Sequence, residues 1–482
     1  MEITKLRVST KAKSQKNLGF DEELEPVSPT TEYFLTEGLT IYALCFFELA
    51  VSTDFPSVYA FLNDVFINAH PRFSSIPVED KRGKKKWKKV EVNIKDLVVT
   101  PVYPEGLSIE DYSKHFDDYI SKISTSQIPQ DKPLWQLHIF NYPTKNAAAT
   151  FIFKFHHAIA DGTSLMGVLY SCYKQVDDPS KPLTFPSRTT PREKQSHSMK
   201  KVFNIVPKFI ASIFYTFLYF GQSIKLSYLE DDRTPIRSGN TEMNPDCRIC
   251  TVNLSLTDIK RIKSTLGVTV NDVVVGILFL GTRLYMQEIN NGLLKNTRST
   301  VVITLNIRSD KGYARVEEMW KHNAKVPWGN RFSGIEIPIT NLEENDIKNP
   351  LKFILKAHKI IKKKRNAPFA QILLLWCLGV VRTCVGLQAA AKTFEQRSKN
   401  CSFLMSNMIG PIEKMSFAGH PVDGFYFMPT GLKSSLTVTV MSYMQMLTIG
   451  LAVEKGFIDH QKLITCVEKA FQLIFDAATT TS

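Results

Sequence analysis

The sequence predicts an α/β protein of two domains, and three observations support this prediction. The chain has 482 residues, which is more than one hydrophobic core usually supports. Short runs with period-two alternation, typical of strands, are interspersed with longer runs of apolar residues at helical spacing. A polar, proline-containing stretch over 177–200 separates two such sets of patterns. We therefore expect a first domain over 1–180, a crossover over 181–247 and a second domain over 248–482.

The first domain is expected to contain an apolar strand, followed by a helix that ends where His70 and Pro71 interrupt the helical spacing. A strand that begins at Pro133 should pair with the strand that follows it, because the intervening residues are of the hairpin-turn type. The elements predicted for this domain are strands over 36–49, 133–140 and 151–157 and helices over 58–66 and 111–124.

The formal net charge of +14 indicates anionic partners, such as phosphate-bearing ligands, acidic lipid surfaces or nucleic acid. Seven basic side chains surround Trp87 in the run 81–89, KRGKKKWKK. Such a run is typical of a solvated loop or a hairpin tip. The alternative is a contact with anionic headgroups or ligand phosphates, with Trp87 as an interfacial anchor. Nucleic acid is disfavoured, because no aromatic-interleaved binding motif accompanies the charge.

An uncharged apolar segment, Phe209–Phe220, lies in the crossover. It is shorter than the approximately 20 residues that a spanning helix needs, so we expect it to lie at a membrane surface or to cover a lipid entrance. A buried amphipathic helix and a single span over 202–224 are the alternatives. Residues 1–20 are polar and basic without an apolar core, so no secretory signal peptide is predicted. The active site is therefore expected to face the cytosol.

The second domain is predicted to open near Arg248 and to contain further strands and helices. A long helix should be capped by Thr269 or Asn271, and the apolar segment over 369–381 should be a core helix or the wall of a lipid tunnel. The predicted strands cover 251–256, 299–307, 434–443 and 446–453, the last two as a hairpin, and the predicted helices cover 268–287, 349–365, 369–381 and 461–475.

Eight cysteines are spread along the chain without a disulfide framework, which is typical of reduced thiols in a reducing compartment. Cys247 and Cys250 form a CxxC pair, but no second pair and no nearby histidine ligands accompany them in the sequence. No metal site is predicted, because a zinc site needs four such ligands.

The pattern that points to catalysis is HHAIADG at residues 156–162. The strand before it alternates, so His156 and His157 should face opposite sides, with His157 on the face of three phenylalanines. Asp161 is expected to fix the loop by accepting backbone or arginine hydrogen bonds, and Gly162 to allow a turn that a side chain would forbid. A helix should begin at the Thr-Ser pair that follows. The arrangement predicts an imidazole held still for general-base chemistry.

This pattern resembles the HHxxxDG signature of the CoA-dependent acyltransferase superfamily, which includes chloramphenicol acetyltransferase, the plant BAHD acyltransferases and the wax ester synthase/diacylglycerol acyltransferases. Three further runs look like the PLW, ND and SNxxGP motifs of the wax synthase group, namely Pro133-Leu134-Trp135, Asn271-Asp272 and Ser406-Asn407-Met408-Ile409-Gly410-Pro411.

Asn306, Arg308 and the turn Trp328-Gly329-Asn330 also match relatives in that group, and the resemblance extends over nearly the whole chain. It implies two chloramphenicol-acetyltransferase-like domains, each a mixed sheet flanked by helices, with the active site at their interface.

The resemblance implies transfer of a long-chain acyl group from acyl-CoA to a long-chain fatty alcohol, giving wax ester, or to diacylglycerol, giving triacylglycerol. The second histidine of the motif is the proton acceptor in this family. His157 would therefore activate the hydroxyl for direct attack, without an acyl-enzyme. The other roles assigned are support by His156, loop structure by Asp161, a turn at Gly162, an oxyanion donor in Asn271, and substrate binding by Asp272, Pro133, Leu134 and Trp135.

Acyl-CoA is expected as a co-substrate, with no bound cofactor or metal, and a membrane lipid surface rather than nucleic acid is expected as a partner. The expected location is the cytosolic face of the endoplasmic reticulum membrane, with the plasma membrane as a second site. One alternative is a soluble BAHD enzyme with a phenolic or small-alcohol acceptor. The DFGWG element of those enzymes has only Asp423–Phe427 as its nearest counterpart. The other alternative is a lipid-binding protein without catalysis.

Overall fold

The computed structural model describes residues 24–186, 200–239, 246–290, 297–310, 312–319, 321, 324–341, 349–365 and 368–480, with side chains left out at 200–212 and 368. Residues 1–20, for which no signal peptide is predicted, lie outside this part, as do 187–199 and 240–245 of the predicted crossover. The strands are β1 (Glu25–Pro26), β2 (Tyr42–Leu49), β3 (Ser75–Glu79), β4 (Lys85–Lys89), β5 (Val98–Val99), β6 (Trp135–Phe140), β7 (Ala149–His156), β8 (Lys174–Gln175), β9 (Cys247–Ser255), β10 (Thr300–Asn306), β11 (Phe332–Pro338), β12 (Phe403–Ile409), β13 (Met415–Phe417), β14 (His420–Thr430), β15 (Leu436–Tyr443) and β16 (Met446–Glu454).

The helices are α1 (Pro29–Phe34), α2 (Phe55–Phe61), α3 (Ile67–Ala69), α4 (Ile109–Thr125), α5 (Gly162–Cys172), α6 (Lys200–Tyr228), α7 (Leu256–Leu266), α8 (Val270–Ile289), α9 (Val316–Met319), α10 (Leu351–Arg365), α11 (Pro368–Cys384), α12 (Leu387–Asn400) and α13 (His460–Thr480). A π-helical turn, Leu62–Phe66, joins α2 to α3. The helix predicted over 58–66 is thus interrupted, and it ends at His70 as expected.

The first sheet has the strand order β5-β6-β7-β2-β14-β13-β8. The predicted hairpin of β6 and β7 is present, and β7 pairs antiparallel with β2 on its other side. The next strand, β14, comes from the second half of the chain and also pairs antiparallel with β2. The predicted division at 248 therefore does not follow the sheets, because β13 and β14 complete a sheet that the first half began.

The second sheet has the strand order β11-β10-β12-β15-β16-β9, in which β10, β12 and β15 run parallel. The hairpin predicted over 434–443 and 446–453 is β15 with β16. Helix α8 packs against α10 and α13, and a Cβ added to Gly276 would lie 2.4 Å from Ile354 of α10. Glycine at this position therefore permits the close helix contact. The mixed sheets flanked by helices confirm the predicted fold class.

The basic run 81–89 forms the tip and second strand of the β3–β4 hairpin, one of the two structures expected for it. Trp87 is only 2 % exposed, and the guanidinium of Arg72 lies over its ring at 4.7 Å from the centroid. The interfacial-anchor role considered for Trp87 is therefore wrong. Alternation along β4 turns the indole inward and leaves the neighbouring lysines at the surface.

Helix α6 packs against α11 and α12, and both α6 and α11 contact β11 at the edge of the second sheet. The apolar segment Phe209–Phe220 is the middle of α6, which is longer than the segment predicted from composition. In the part of the chain that the structure describes, no single helix has the length and composition to cross a membrane. Two bent pairs, α7 with α8 and α10 with α11, pass that test together.

Candidate active site

His157 follows β7, and its backbone N–H donates to the carbonyl of Ile41 at 2.8 Å. Its ring lines the same cavity as the side chains of Phe153 and Phe155. Lys154 points the other way, and its Nζ donates to backbone carbonyls at the end of α4. The alternation along β7 thus places the imidazole on the side that the sequence pattern predicts.

Asn330 fixes the orientation and the tautomer of the His157 ring. Its Nδ2 donates to the backbone carbonyl of His157 at 2.8 Å and to Thr31 Oγ1 at 3.3 Å. The amide oxygen Oδ1 is therefore the atom that faces His157 Nδ1, at 3.0 Å. Because an amide oxygen can only accept, Nδ1 carries the proton. Nε2 is left with a lone pair, which is the form that a general base requires.

Two aromatic rings enclose the imidazole. The ring centroids of Phe34, from α1, and Phe332, from β11, lie 4.6 and 5.4 Å from that of His157. Burial lowers the pKa of His157 below its ordinary value of 6.5, although the nearby carboxylate of Asp161 acts in the opposite direction. The ring is therefore neutral at neutral pH and free to accept a proton.

Asp161 links the turn that follows His156 and His157 to the second half of the chain. Its Oδ1 accepts the backbone N–H of Ser164 at 3.0 Å. Its two carboxylate oxygens accept from the two terminal nitrogens of Arg308 at 2.8 and 3.0 Å, and both side chains are buried. Arg308 also donates to the carbonyl of Gly329 at 2.6 Å, next to Asn330. The pair therefore holds both the turn after the histidines and the residue that orients the imidazole.

His156 lies on the opposite face of the strand and is 3 % exposed. Its Nδ1 accepts the backbone N–H of Ala158 at 3.1 Å, and its ring packs edge-on against Tyr42. Burial lowers the pKa of His156 to about 3. It does not border the cavity, so its contacts are those of a residue that supports the turn.

The helix that follows the motif begins earlier than predicted. Asp161 is the N-cap of α5 and Gly162 its first residue, so the predicted start at Thr163 or Ser164 is wrong. Gly162 does not adopt a positive φ, and its predicted role as a special turn residue is wrong as well. Its contribution is space, because an added Cβ would lie 3.1 Å from Met408 Sδ.

Pro133, Leu134 and Trp135 are buried beside β7 and do not line the cavity. The carbonyl of Leu134 accepts the backbone N–H of His156 at 2.9 Å. The indole N–H of Trp135 donates to the carbonyl of Phe73 at 2.9 Å. These contacts support a packing role that shapes the end of β7, in place of the substrate binding predicted for the three residues.

Asn271 and Asp272 lie at the start of α8, and neither lines the cavity. Thr269 and Asp272 form a reciprocal capping box, which confirms Thr269 as the cap, and Asp272 Oδ2 also contacts His358 Nδ1 at 2.8 Å. Asp272 is therefore a capping residue in this structure. Asn271 Oδ1 accepts from Asn407 Nδ2 at 3.0 Å. Asn407 does line the cavity, so Asn271 reaches the cavity only through Asn407.

A cavity of about 420 Å³ contains the exposed edge of the His157 ring and extends between the two halves of the chain. This size is in the range of small-molecule sites. One part, which we call the sheet arm, is lined by residues of β2, β7 and β14 and by residues of α5 and its C-cap, among them Ala43, Cys45, Phe47, Phe153, Phe155, Tyr173, Phe425 and Phe427. The other part, the helix arm, is lined by α6, α11 and α12, among them Phe220, Ile224, Tyr228, Leu374, Leu378 and Phe394.

Asn330 and Arg308 are the site residues whose roles were not recognised in the sequence. Each lies in a run that matches relatives, but neither has a local signal of its partner. Asn330 is 173 residues from His157 along the chain, and Arg308 is 147 residues from Asp161. Only the expectation that Asp161 accepts arginine hydrogen bonds indicated that such a partner exists.

The eight cysteines are free thiols. Cys247 and Cys250 lie on β9, away from the cavity lining. Within the described ranges, no group of three or more histidine, cysteine, aspartate or glutamate side chains is placed to hold a metal ion.

The geometry suits the deprotonation of a hydroxyl group inside an apolar passage. A neutral imidazole with a fixed tautomer faces a cavity whose lining is mostly aliphatic and aromatic, and the amide side chains of Asn306 and Asn407 also border that space. Amide donors of this kind can stabilise an oxyanion.

Two family descriptions match this chain. Residues 112–274 match the wax ester synthase/diacylglycerol acyltransferase catalytic domain, and residues 328–475 match the WS/DGAT C-terminal domain. Wax ester synthase/diacylglycerol acyltransferase 8 of Arabidopsis thaliana is 30% identical over 487 residues, which cover 94% of this chain and 96% of that protein. Wax ester synthase/diacylglycerol acyltransferase 7 of the same plant is 29% identical and covers 93% of this chain and 97% of its own length.

Solved structures share the fold. The wax ester synthase/diacylglycerol acyltransferase from Marinobacter aquaeolei VT8 superposes with a TM-score of 0.58 at 16% identity, covering 94% of this chain and 100% of that chain. A mutant starter condensation domain of rhizomide synthetase, solved in complex with C8-CoA and Leu-SNAC, superposes with a TM-score of 0.55 at 10% identity, covering 95% and 94%.

Proposed function

This chain belongs to the wax ester synthase/diacylglycerol acyltransferase family, and we propose that it transfers a long-chain acyl group from acyl-CoA to a long-chain fatty alcohol or to diacylglycerol, with His157 as the general base. The products are a wax ester or a triacylglycerol, and free CoA. The observation that carries the proposal is the hydrogen bond between His157 Nδ1 and Asn330 Oδ1, because it leaves Nε2 unprotonated in the cavity.

The proposed reaction needs no covalent intermediate on the protein. Nε2 of His157 takes the hydroxyl proton while the alcohol oxygen attacks the thioester carbonyl carbon, and a tetrahedral oxyanion forms. Collapse of this intermediate breaks the carbon–sulfur bond, and the departing thiolate receives the proton from Nε2. The products are the ester and the CoA thiol, and the thiol carries the proton that the hydroxyl group lost. General-base action of this kind contributes about 10²- to 10⁴-fold to the rate.

We assign stabilisation of the oxyanion to amide donors of the cavity wall. Asn407 lines the cavity and its Nδ2 already donates one proton to Asn271 Oδ1, which fixes the direction of the second N–H. Asn271, predicted as the donor, would then act by orienting Asn407. One such donor contributes roughly 3 kcal/mol to transition-state stabilisation.

We propose that helices α6 and α11 form the membrane-facing surface of the enzyme. Their shared contact contains Tyr215 and Tyr219 of α6 and Ala370 of α11. The two helices also carry large apolar side chains that are each more than half exposed: Phe214, Phe217, Tyr228, Phe369, Ile372 and Trp376. An exposed apolar patch on two packed helices is typical of an interaction site. Behind the patch, the same helices line the helix arm, so a lipid acceptor would have a short path to His157.

Basic side chains border this surface. The last turn of α10 carries Lys362, Lys363 and Arg365, all exposed, and Lys363 Nζ lies 5.9 Å from the ring centroid of Tyr215 on α6. Each basic residue near an anionic leaflet contributes about 1 kcal/mol to membrane attraction. This charge supports our proposal that the enzyme acts at the cytosolic face of the endoplasmic reticulum membrane, with the plasma membrane as a second location.

The test uses purified protein, labelled palmitoyl-CoA, and three acceptors in competition: hexadecanol, a diacylglycerol and a small phenolic alcohol. We expect labelled wax ester or triacylglycerol, and their ratio identifies the preferred acceptor. Ester formation with the phenolic alcohol alone would favour the BAHD-type activity considered above. Binding of palmitoyl-CoA without any ester would favour the non-catalytic alternative.

A further inference from the structure

We propose that strand β2 measures the length of the acyl chain, and that the sheet arm of the cavity is the acyl-chain site. This inference rests on the proposed function, since it names the place that the acyl group of acyl-CoA occupies. The side chains that set the length are Ala43, Cys45 and Phe47, which alternate along β2 and line the cavity on one face of the strand.

The sheet register arranges the floor of the sheet arm in successive rows across three strands. Ala43 pairs with Phe155 of β7 and with Pro429 of β14. Cys45 pairs with Phe153 and Phe427, and Phe47 pairs with Phe425, so the rows follow one another away from His157. The catalytic ring is level with Ile41, whose carbonyl accepts its backbone N–H. Each step of two residues along β2, from Ile41 toward Phe47, therefore lies farther from the reacting carbonyl.

The depth of the arm matches a long acyl chain. Six residues separate Ile41 from Phe47, which at about 3.3 Å per residue gives a depth of roughly 20 Å. A staggered hydrocarbon chain advances about 1.3 Å per carbon, so this depth holds approximately 16 carbons. By the same measure, the row of Ala43 lies roughly 5 carbons from the carbonyl and the row of Cys45 roughly 10 carbons.

The arm is closed at its far end by aromatic rings. Phe47 stacks on Tyr173 with centroids 5.6 Å apart and an interplanar angle of 11°, and Phe425 lies 4.9 Å from Phe47. All three line the cavity, and none is more than 4 % exposed. Phe417 packs behind them against both Phe47 and Tyr173. A chain that enters from His157 therefore meets a wall at this depth.

The residues between the entrance and the wall are small. Ala43 and Cys45 occupy the central strand of the floor, while the neighbouring strands β7 and β14 carry phenylalanine or proline in the same rows. Small side chains at these two positions leave space along β2 between the phenylalanines of β7 and β14. A larger side chain at either position would end this space at that row.

The closed end decides which substrate chain occupies this arm. Diacylglycerol brings two acyl chains and a glycerol, which need an arm open to the lipid phase, whereas acyl-CoA brings a single chain that can end at a closed wall. The helix arm reaches the surface, because Ile224 and Tyr228 line it and are also 40 % and 79 % exposed. We therefore assign the acceptor to the helix arm and the acyl chain to the sheet arm.

The experiment compares acyl-CoA substrates from hexanoyl to stearoyl, with hexadecanol as a fixed acceptor. Cys45→Phe is expected to lower kcat/KM for palmitoyl-CoA about tenfold or more while leaving kcat/KM for octanoyl-CoA unchanged. In Ala43→Leu, the fall in kcat/KM should begin at shorter acyl chains than in Cys45→Phe. Cys45→Leu adds less volume than Cys45→Phe and takes its place in the experiment if Cys45→Phe does not fold. Ile224→Phe is the matched control, because it adds the same ring to the helix arm and should leave the acyl-length profile unchanged.

A shift of the alcohol-length profile instead of the acyl profile would overturn the assignment of the arms. An unchanged profile in Cys45→Phe and Ala43→Leu, or equal losses at every acyl length in folded variants, would overturn the length measurement itself. Photolabelling gives a readout without turnover: palmitoyl-CoA with a photoreactive ω-carbon, bound to His157→Ala, should mark peptides that contain Phe47 or Tyr173, and labelling confined to α6 or α11 would contradict the proposal. If unmodified protein forms no ester from any acyl-CoA, the proposed function itself is wrong, and not only the role of β2 in setting acyl-chain length.

Discussion

Replacement of Asn330 tests how the structure prepares the catalytic imidazole. In Asn330→Ala, the Nδ1–H of His157 loses its acceptor, and the carbonyl of His157 loses a donor at 2.8 Å. A polar group left unsatisfied in a buried site costs about 1–3 kcal/mol, and the Nε2–H tautomer, which cannot act as the base, becomes accessible. We therefore expect kcat/KM to fall roughly 5- to 150-fold.

The conservative variant separates positioning from folding. In Asn330→Asp, a carboxylate faces His157 Nδ1 and favours the imidazolium, which opposes the burial that lowers the pKa of this ring. A raised pKa keeps the base protonated up to a higher pH, so the acid limb of the kcat/KM profile should move upward relative to unmodified protein. In unmodified protein, that limb should lie below pH 6.5, the ordinary pKa of histidine.

The assay is the initial rate of ester formation from palmitoyl-CoA and hexadecanol across the mildly acidic and neutral range, with thermal unfolding recorded for each variant. A folded Asn330→Ala protein with full activity would refute the role assigned to this amide. An Asn330→Asp profile with an unmoved acid limb would refute the contact with Nδ1.

Three further outcomes are expected. Asp161→Asn should lower the free energy of unfolding by about 3–5 kcal/mol, because it leaves the buried charge of Arg308 without its partner, and urea denaturation measures this loss; an unchanged midpoint would contradict it. Phe217→Ser combined with Trp376→Ser should reduce co-sedimentation with anionic vesicles, while Phe457→Ser, at another exposed position, should not; equal losses in both proteins would count against the proposed membrane surface. Higher salt should weaken vesicle binding by screening the basic turn of α10, and salt-independent binding would leave that turn without a role.

Local sequence signals predicted the elements around the site. The alternation of Phe151, Phe153 and Phe155 predicted the strand and the side on which His157 lies, because the period of a strand leaves only two choices. Thr269 was one of the two caps predicted for α8, and its capping partner Asp272 is only three residues away. Hairpin signals predicted the pairing of β15 with β16 for the same reason, since the partners are close along the chain.

Contacts between distant parts of the chain were not predictable in this way. Nothing near Asn330 indicates that it bonds to His157, and nothing near β14 indicates that this strand joins β2 of the first half. The burial of Trp87 was not predicted, because its cation–π partner Arg72 lies outside the basic run. Gly162 was misjudged because the atom that excludes a side chain belongs to Met408, on another strand.

The apolar helices show a mixed outcome. Composition indicated that Phe209–Phe220 covers a lipid entrance or lies at a membrane surface, and that 369–381 is a core helix or a tunnel wall. In the structure, α11 lines the cavity with Leu374 and Leu378 on one side and exposes Ile372 and Trp376 on the other. Hydrophobicity alone could not separate these two faces, because both are apolar.

The most direct test of the central claim is the rate of ester formation by His157→Ala, measured beside its affinity for palmitoyl-CoA and beside His115→Ala as a control at a histidine outside the cavity. We expect His157→Ala to lose about 10²- to 10⁴-fold in kcat while it still binds palmitoyl-CoA, and His115→Ala to keep its activity. Ester formation by His157→Ala at the rate of the unmodified protein would contradict the assignment of this imidazole as the base.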